Sequence, residues 1–112
     1  MNISTHKNNN VEILHLEGRF DAFEVEAVEH WLDDVVNQDN IIVLVNLQDV
    51  DFIDSTAIST LVQGTKMLRI NKGDLILCGL QETVRIIFDL TRLDQVFYIY
   101  ETEQDALDAI TR

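Results

Sequence analysis

Ile41-Ile42-Val43-Leu44-Val45 runs directly into Asn46-Leu47-Gln48-Asp49-Val50-Asp51-Phe52-Ile53-Asp54-Ser55-Thr56-Ala57, and the reading of this passage decides the fold. Its first five residues are apolar, mostly β-branched and free of polar alternation, as suits a central strand covered on both faces. The residues after Ala57 place Ile58, Leu61, Val62, Thr65 and Leu68 on one side of a helix. A buried strand feeding an amphipathic helix is the repeating unit of a parallel α/β sheet.

The same alternation continues in both directions. Upstream, Val25, Val28, Trp31/Leu32 and Val35/Val36 recur at helical spacing, and Trp31 on that stripe reads as packing. Before them, Ile3 to Thr5 and Val11 to Glu17 flank the turn-prone Asn8-Asn9-Asn10, which predicts a hairpin. Downstream, Gly73 precedes a buried strand over Asp74 to Cys78. Val84, Ile87 and Phe88 mark a third helix, Val96 to Tyr100 a last strand, and Ala106, Leu107 and Ile110 a closing helix. The expected fold class is α/β: one domain over 1–112, with a mixed, mainly parallel sheet, an N-terminal hairpin and about four α-helices.

Composition narrows the function. The 112 residues are 46% hydrophobic, enough to fill one core, and no apolar run reaches the roughly 20 residues that cross a bilayer. With 8 basic against 20 acidic residues and a net charge of -12, no Lys/Arg cluster is available to neutralise phosphates, so nucleic acid is not an expected partner. An acidic surface favours solubility and a basic protein partner. The polar stretch Met1 to Asn10 has no signal-peptide layout, and the expected location is the cytoplasm. Cys78 lies in the apolar run Leu75 to Cys78 and reads as a small buried hydrophobe. His6, His15 and His30 are scattered, so no metal and no cofactor is expected.

The chemistry concentrates where the central strand hands over to the second helix. Asp54 and Ser55 are both preferred helix N-caps, and capping alone would account for either. Asp54-Ser55-Thr56, however, offers two consecutive hydroxyls, flanked by Asp51 and Asp54, with Asp21 on another loop at the same sheet edge. A helix start favours anionic groups through its dipole and free N–H donors, so a phosphate on Ser55 would fit there. Phe52 reads as a core residue or, if exposed beside the acceptor, as a docking contact.

The whole chain resembles the STAS domains of bacterial anti-sigma factor antagonists. Val50 to Ile58 is similar to the family's phosphorylation motif, and Gly18-Arg19-Phe20-Asp21-Ala22 to its turn after the hairpin. Gly73 to Leu80, Val84 to Ile87, Leu93 to Phe97 and Glu103 to Leu107 follow its later landmarks in order. The resemblance implies that Ser55 is a phosphoacceptor, with Thr56 as runner-up. Asp21, Asp51, Phe52, Asp54, Ser55 and Thr56 would then form the partner-binding edge. It further implies two protein partners, a serine/threonine-kinase anti-sigma factor and a separate serine phosphatase. Asn46, Ala57 and Arg92 depart from the family pattern, which often has Asp, Gly and Gly at these places.

Three other classes compete with this reading. A phosphorylation-independent STAS module, in a stress-signalling or transport assembly, would keep the fold and use Ser55 as a cap. A response-regulator receiver needs an acidic pair after the first strand and a late Lys, and no Lys follows Lys72. An enzyme needs acid, base or nucleophile roles filled, and Ser55 has no evident His base.

Overall fold

The computed structural model describes residues 1–111. Two strands, β1 (Asn2–Asn8) and β2 (Val11–Phe20), form the antiparallel hairpin that the Asn8-Asn9-Asn10 turn predicts. There follow α1 (Val25–Val35), β3 (Ile42–Ile53), α2 (Ser55–Ile70), β4 (Asp74–Cys78), α3 (Glu82–Leu90), β5 (Tyr98–Tyr100) and α4 (Glu103–Ile110). The sheet order is β1-β2-β3-β4-β5, and every pairing after the hairpin is parallel. Each crossover steps to the next strand in the same direction. Right-handed connections therefore put α1, α2 and α3 on one face.

Burial confirms that layering. The larger core unites Leu14, Leu16, Val43, Val45 and Leu75 of the sheet with Val28, Leu32, Leu61 and Phe88 of the three helices. Trp31 packs against this core, as its place in the stripe predicts. The reverse face is covered by α4, whose Ala106, Leu107 and Ile110 meet Val11, Ile13, Leu44, Ile76 and Cys78. Cys78 is fully buried, and that burial, with the nearby Glu103 charge adding to it, pushes its thiol up to about 12.

Strand boundaries differ from the sequence reading, and the hairpin strands run longer than Ile3 to Thr5 and Val11 to Glu17. The central strand does not end at Val45 but continues to Ile53. Its second half buries Leu47, Val50 and Ile53, a spacing of three that breaks the two-residue period of a strand. The cause is a pair of register shifts against β2, where Glu17 meets Asp49 after His15 meets Asn46, and Arg19 meets Phe52 after Gly18 meets Val50. Each inserts an extra β3 residue and re-aims the side chains that follow. Asp51 and Phe52 are thus strand residues rather than loop residues. The last strand is also shorter than Val96 to Tyr100, because Leu93–Gln95 forms a 3₁₀ turn that carries Val96 and Phe97 with it.

Gly73 is required by close approach. A Cβ there would lie 2.0 Å from the Ile41 carbonyl oxygen, where the exit of α2 crosses the entrance of β3. Backbone on both sides leaves little room to yield, so Gly73→Ala should cost about 2–3 kcal/mol in urea unfolding followed by circular dichroism. A thiol reagent should leave Cys78 unmodified in the folded chain and label it once the chain unfolds, with the rate read by mass spectrometry.

Candidate functional site

Beyond the pairing of Asn46 with Cys78, the end of β3 has β2 as its sole strand neighbour, so residues 48–53 form part of a two-stranded ribbon overhanging the sheet. Its other edge is met by side chains. Gln81 Nε2 donates to the Gln48 carbonyl at 2.8 Å, and Thr83 Oγ1 to the Asp51 carbonyl at 3.5 Å. The ribbon projects the start of α2 and the loop after β2 together.

Asp54 organises this junction. It is the N-cap of α2, and its Oδ1 accepts the Ala57 N–H at 2.9 Å. Its Oδ2 accepts the Ala22 N–H at 2.9 Å, across to the loop after β2, while its own N–H donates to the Phe20 carbonyl at 3.4 Å. The Ala57 N–H holds the Asp54 carboxyl below its ordinary value against a smaller opposing desolvation, with further help from the Ala22 and Thr56 N–H groups and Arg19. Since Asp54 does the capping, the Ser55 hydroxyl, on the first residue of α2, is not spent on it. Ser55 and Thr56 are both exposed.

The loop is as firmly held as the helix start. Asp21 Oδ1 accepts the Phe23 N–H at 3.0 Å, and its carbonyl accepts the N–H groups of Glu24 and Val25 at 2.9 and 3.1 Å. Arg19 Nε reaches Asp21 Oδ2 at 3.5 Å, and its guanidinium lies 3.9 Å over the Phe52 ring. Phe52 is 36% exposed, so the core alternative for it fails. The structure thus brings Asp21, Asp54, Ser55 and Thr56 into one hydrogen-bonded corner. Phe52 joins through Arg19, and Asp51 stands exposed on the ribbon beside it.

A groove of about 450 Å³ leads away from the corner between α1 and α2. Ser55, Thr56 and Ser59 line one wall, and Glu29 and Asp33 line the other. Among the described residues, no group of three or more His, Cys, Asp or Glu could hold a metal ion. No helix is long and apolar enough to cross a membrane.

Sequence reasoning missed Phe23, a fully exposed aromatic at the head of this corner. It belongs to no apolar period, lying two residues before the α1 stripe begins, and that isolation was the available signal.

The departures from the family pattern find local explanations. Asn46 is 3% exposed, its Nδ2 donates to Glu103 Oε1 at 3.2 Å, and its Oδ1 accepts the Gln48 N–H at 2.9 Å. An amide serves both partners there, whereas a carboxylate would face Glu103 with like charge. Arg92 sits at φ 61°, the left-handed region that favours glycine. Ala57 fits its methyl into full burial in the first turn of α2.

The fold is thus a small α/β domain that presents an exposed, unengaged hydroxyl in an acidic corner, beside a loop tied to the helix start. The STAS domain model matches residues 2–106, and the chain belongs to the STAS family. It is 27% identical to the anti-sigma-B factor antagonist of Listeria monocytogenes, over 80% of this chain and 79% of that protein. It is 28% identical to the anti-sigma-B factor antagonist of Staphylococcus epidermidis, over 90% and 94%. The anti-sigma factor antagonist SpoIIAA, in its unphosphorylated form, superposes with a TM-score of 0.86 at 20% identity, covering 98% of this chain and 96% of that one. STAS proteins of this kind act by binding and regulation, not by catalysis.

The Asp54 pKa yields a signed expectation. A carboxyl depressed by folding contributes stability above its unfolded value of 3.8, and loses it as pH falls through the lower folded value. Asp54→Ala should lower the urea midpoint at neutral pH, and its gap to wild type should narrow as the solution is acidified below pH 3.8. A gap independent of pH would exclude the carboxylate charge as the source.

Proposed function

We propose that this chain is an anti-sigma factor antagonist working by partner switching. Unmodified, it docks its Ser55 corner on a serine-kinase anti-sigma factor, which then releases its sigma factor. The kinase transfers the γ-phosphoryl group of ATP to the Ser55 oxygen, breaking its bond to the β-phosphate and releasing ADP and the hydroxyl proton, and the complex ends. A separate serine phosphatase resets the chain, and the exchange takes place in the cytoplasm. The observation that carries this reading is the Ser55 hydroxyl, exposed on the first residue of α2 while Asp54 does the capping. The names of the Listeria and Staphylococcus relatives support it.

The physics of the switch is electrostatic. A phosphate adds about -1.5 to -2 charge at neutral pH to a corner that already holds Asp21, Asp51 and Asp54. At the helix start that charge is tolerated, because the dipole and the first N–H groups favour it, so the fold survives. At an interface the same charge must be desolvated beside like charges. A penalty of about 3–4 kcal/mol weakens binding several-hundred-fold.

Ser55→Ala should bind the anti-sigma factor constitutively, and Ser55→Asp should bind it poorly, as read by calorimetry with the purified kinase. Equal affinities would remove the switch. Incubation with kinase and ATP should add phosphate to the Ser55 peptide by mass spectrometry. Thr56→Ala should leave that labelling intact; loss of label there would move the acceptor by one residue. A chain that binds without ever being labelled would instead be a phosphorylation-independent module.

A further inference from the structure

Phe23 is 93% exposed, the most exposed of the large apolar side chains on the described surface. Single exposed apolar residues are ordinary where the backbone is loose, since the ring can fold back on the surface. Here the backbone is not loose. Phe23 donates its own N–H to Asp21, its predecessor Ala22 donates to Asp54, and its successor Glu24 donates to the Asp21 carbonyl. Three consecutive N–H groups are fixed, and a large ring is held away from the protein it belongs to.

Its position is as telling as its exposure. The Asp54 carboxylate that holds Ala22 also starts the helix bearing Ser55, so one side chain sets the register between the ring and the hydroxyl. The backbone that carries the ring is tied to two carboxylates, Asp21 through the Phe23 N–H and Asp54 through the Ala22 N–H, while the neighbouring Glu24 pairs with the Met1 ammonium at 3.1 Å. A rigid aromatic with two side-chain torsions loses little entropy on binding, and such residues dominate interface energetics when they enter a pocket.

Resting on the partner-switching reading above, we propose that Phe23 is the apolar anchor of the docking surface. It inserts into an apolar pocket with a basic rim on the serine-kinase anti-sigma factor, while Ser55 enters the kinase site. The occupant follows from charge complementarity: a net charge of -12, with Asp21 and Asp54 bonded to the backbone at the ring, selects a basic rim around one apolar pocket. The clamp through Asp54 keeps the anchor and the acceptor at a fixed offset, so seating the ring positions the hydroxyl.

The test measures binding of the full chain to each purified serine-kinase anti-sigma factor from its own genome, without ATP. Phe23→Ala should weaken the complex by about 30-fold, the size of a hot-spot truncation. Phe23→Leu should recover much of the loss, and the melting temperature should not move, because the ring supports nothing within the fold. Leu90→Ala, which removes the next most exposed large apolar side chain, on the last residue of α3, should bind as wild type does. Phe23→Ala binding at wild-type strength while Ser55→Asp fails would overturn the anchor and leave the switch standing. If neither wild type nor Ser55→Ala binds any of these kinases, both fall. A wild-type dimer in sedimentation that Phe23→Ala dissolves would also overturn the proposal, by giving the ring to self-association.

Discussion

One carboxylate holds the functional end of this molecule together. Each Asp54 oxygen accepts a backbone N–H, one from the first turn of α2 and one from the loop after β2. Helix capping is usually a local matter, worth something to the helix and nothing to its neighbours. Here the second oxygen makes the cap a tie between two segments 32 residues apart in sequence. The tie works because the overhanging ribbon brings Phe20 and Asp54 side by side, and the Asp54 N–H bonds the Phe20 carbonyl before the side chain acts. Ser55 is left free as a result, since the groups it could have capped are already served.

The layout of charge follows from the same corner. Several carboxylates share a small surface, and Arg19 is the cation woven into it, stacked on Phe52 and reaching Asp21. Such a surface is stable in water because Asp21 and Asp54 accept backbone N–H groups and Asp51 stays exposed. It becomes unfavourable when a partner removes the water and more negative charge is present. SpoIIAA shows this fold in both its unphosphorylated and its phosphorylated forms, at TM-scores of 0.86 and 0.78 to this chain.

Much of the fold was legible because each element carried its own period. The α1 stripe, the β-branched run at Ile41 to Val45 and the Asn8-Asn9-Asn10 turn each obey a rule that depends on nearby residues alone. The failures share one cause. The two bulges that carry β3 to Ile53 are set by how it pairs with β2, and no local pattern announces a register shift. Without them, Asp51 and Phe52 read as loop and Phe52 as a candidate for the core. The 3₁₀ turn at Leu93–Gln95 likewise takes Val96 and Phe97 out of a run whose composition is strand-like. At the site, Asp54, Ser55 and Asp21 were readable as residue types near a sheet edge. Which of Asp54 and Ser55 caps, and that Phe23 stands clear of the surface, depend on long-range hydrogen bonds the sequence does not display.

The overhanging ribbon has an edge that is not open. Beyond Asn46 the outer side of β3 has no neighbouring strand, yet Gln81 and Thr83 occupy the carbonyls of Gln48 and Asp51. A visitor laying down a strand of its own there, the route by which unguarded edges recruit peptides indiscriminately, would have to displace these contacts. What the edge then presents is side chains and their charges. A surface read in that way can be rewritten by altering one side chain, with no rearrangement of the main chain behind it.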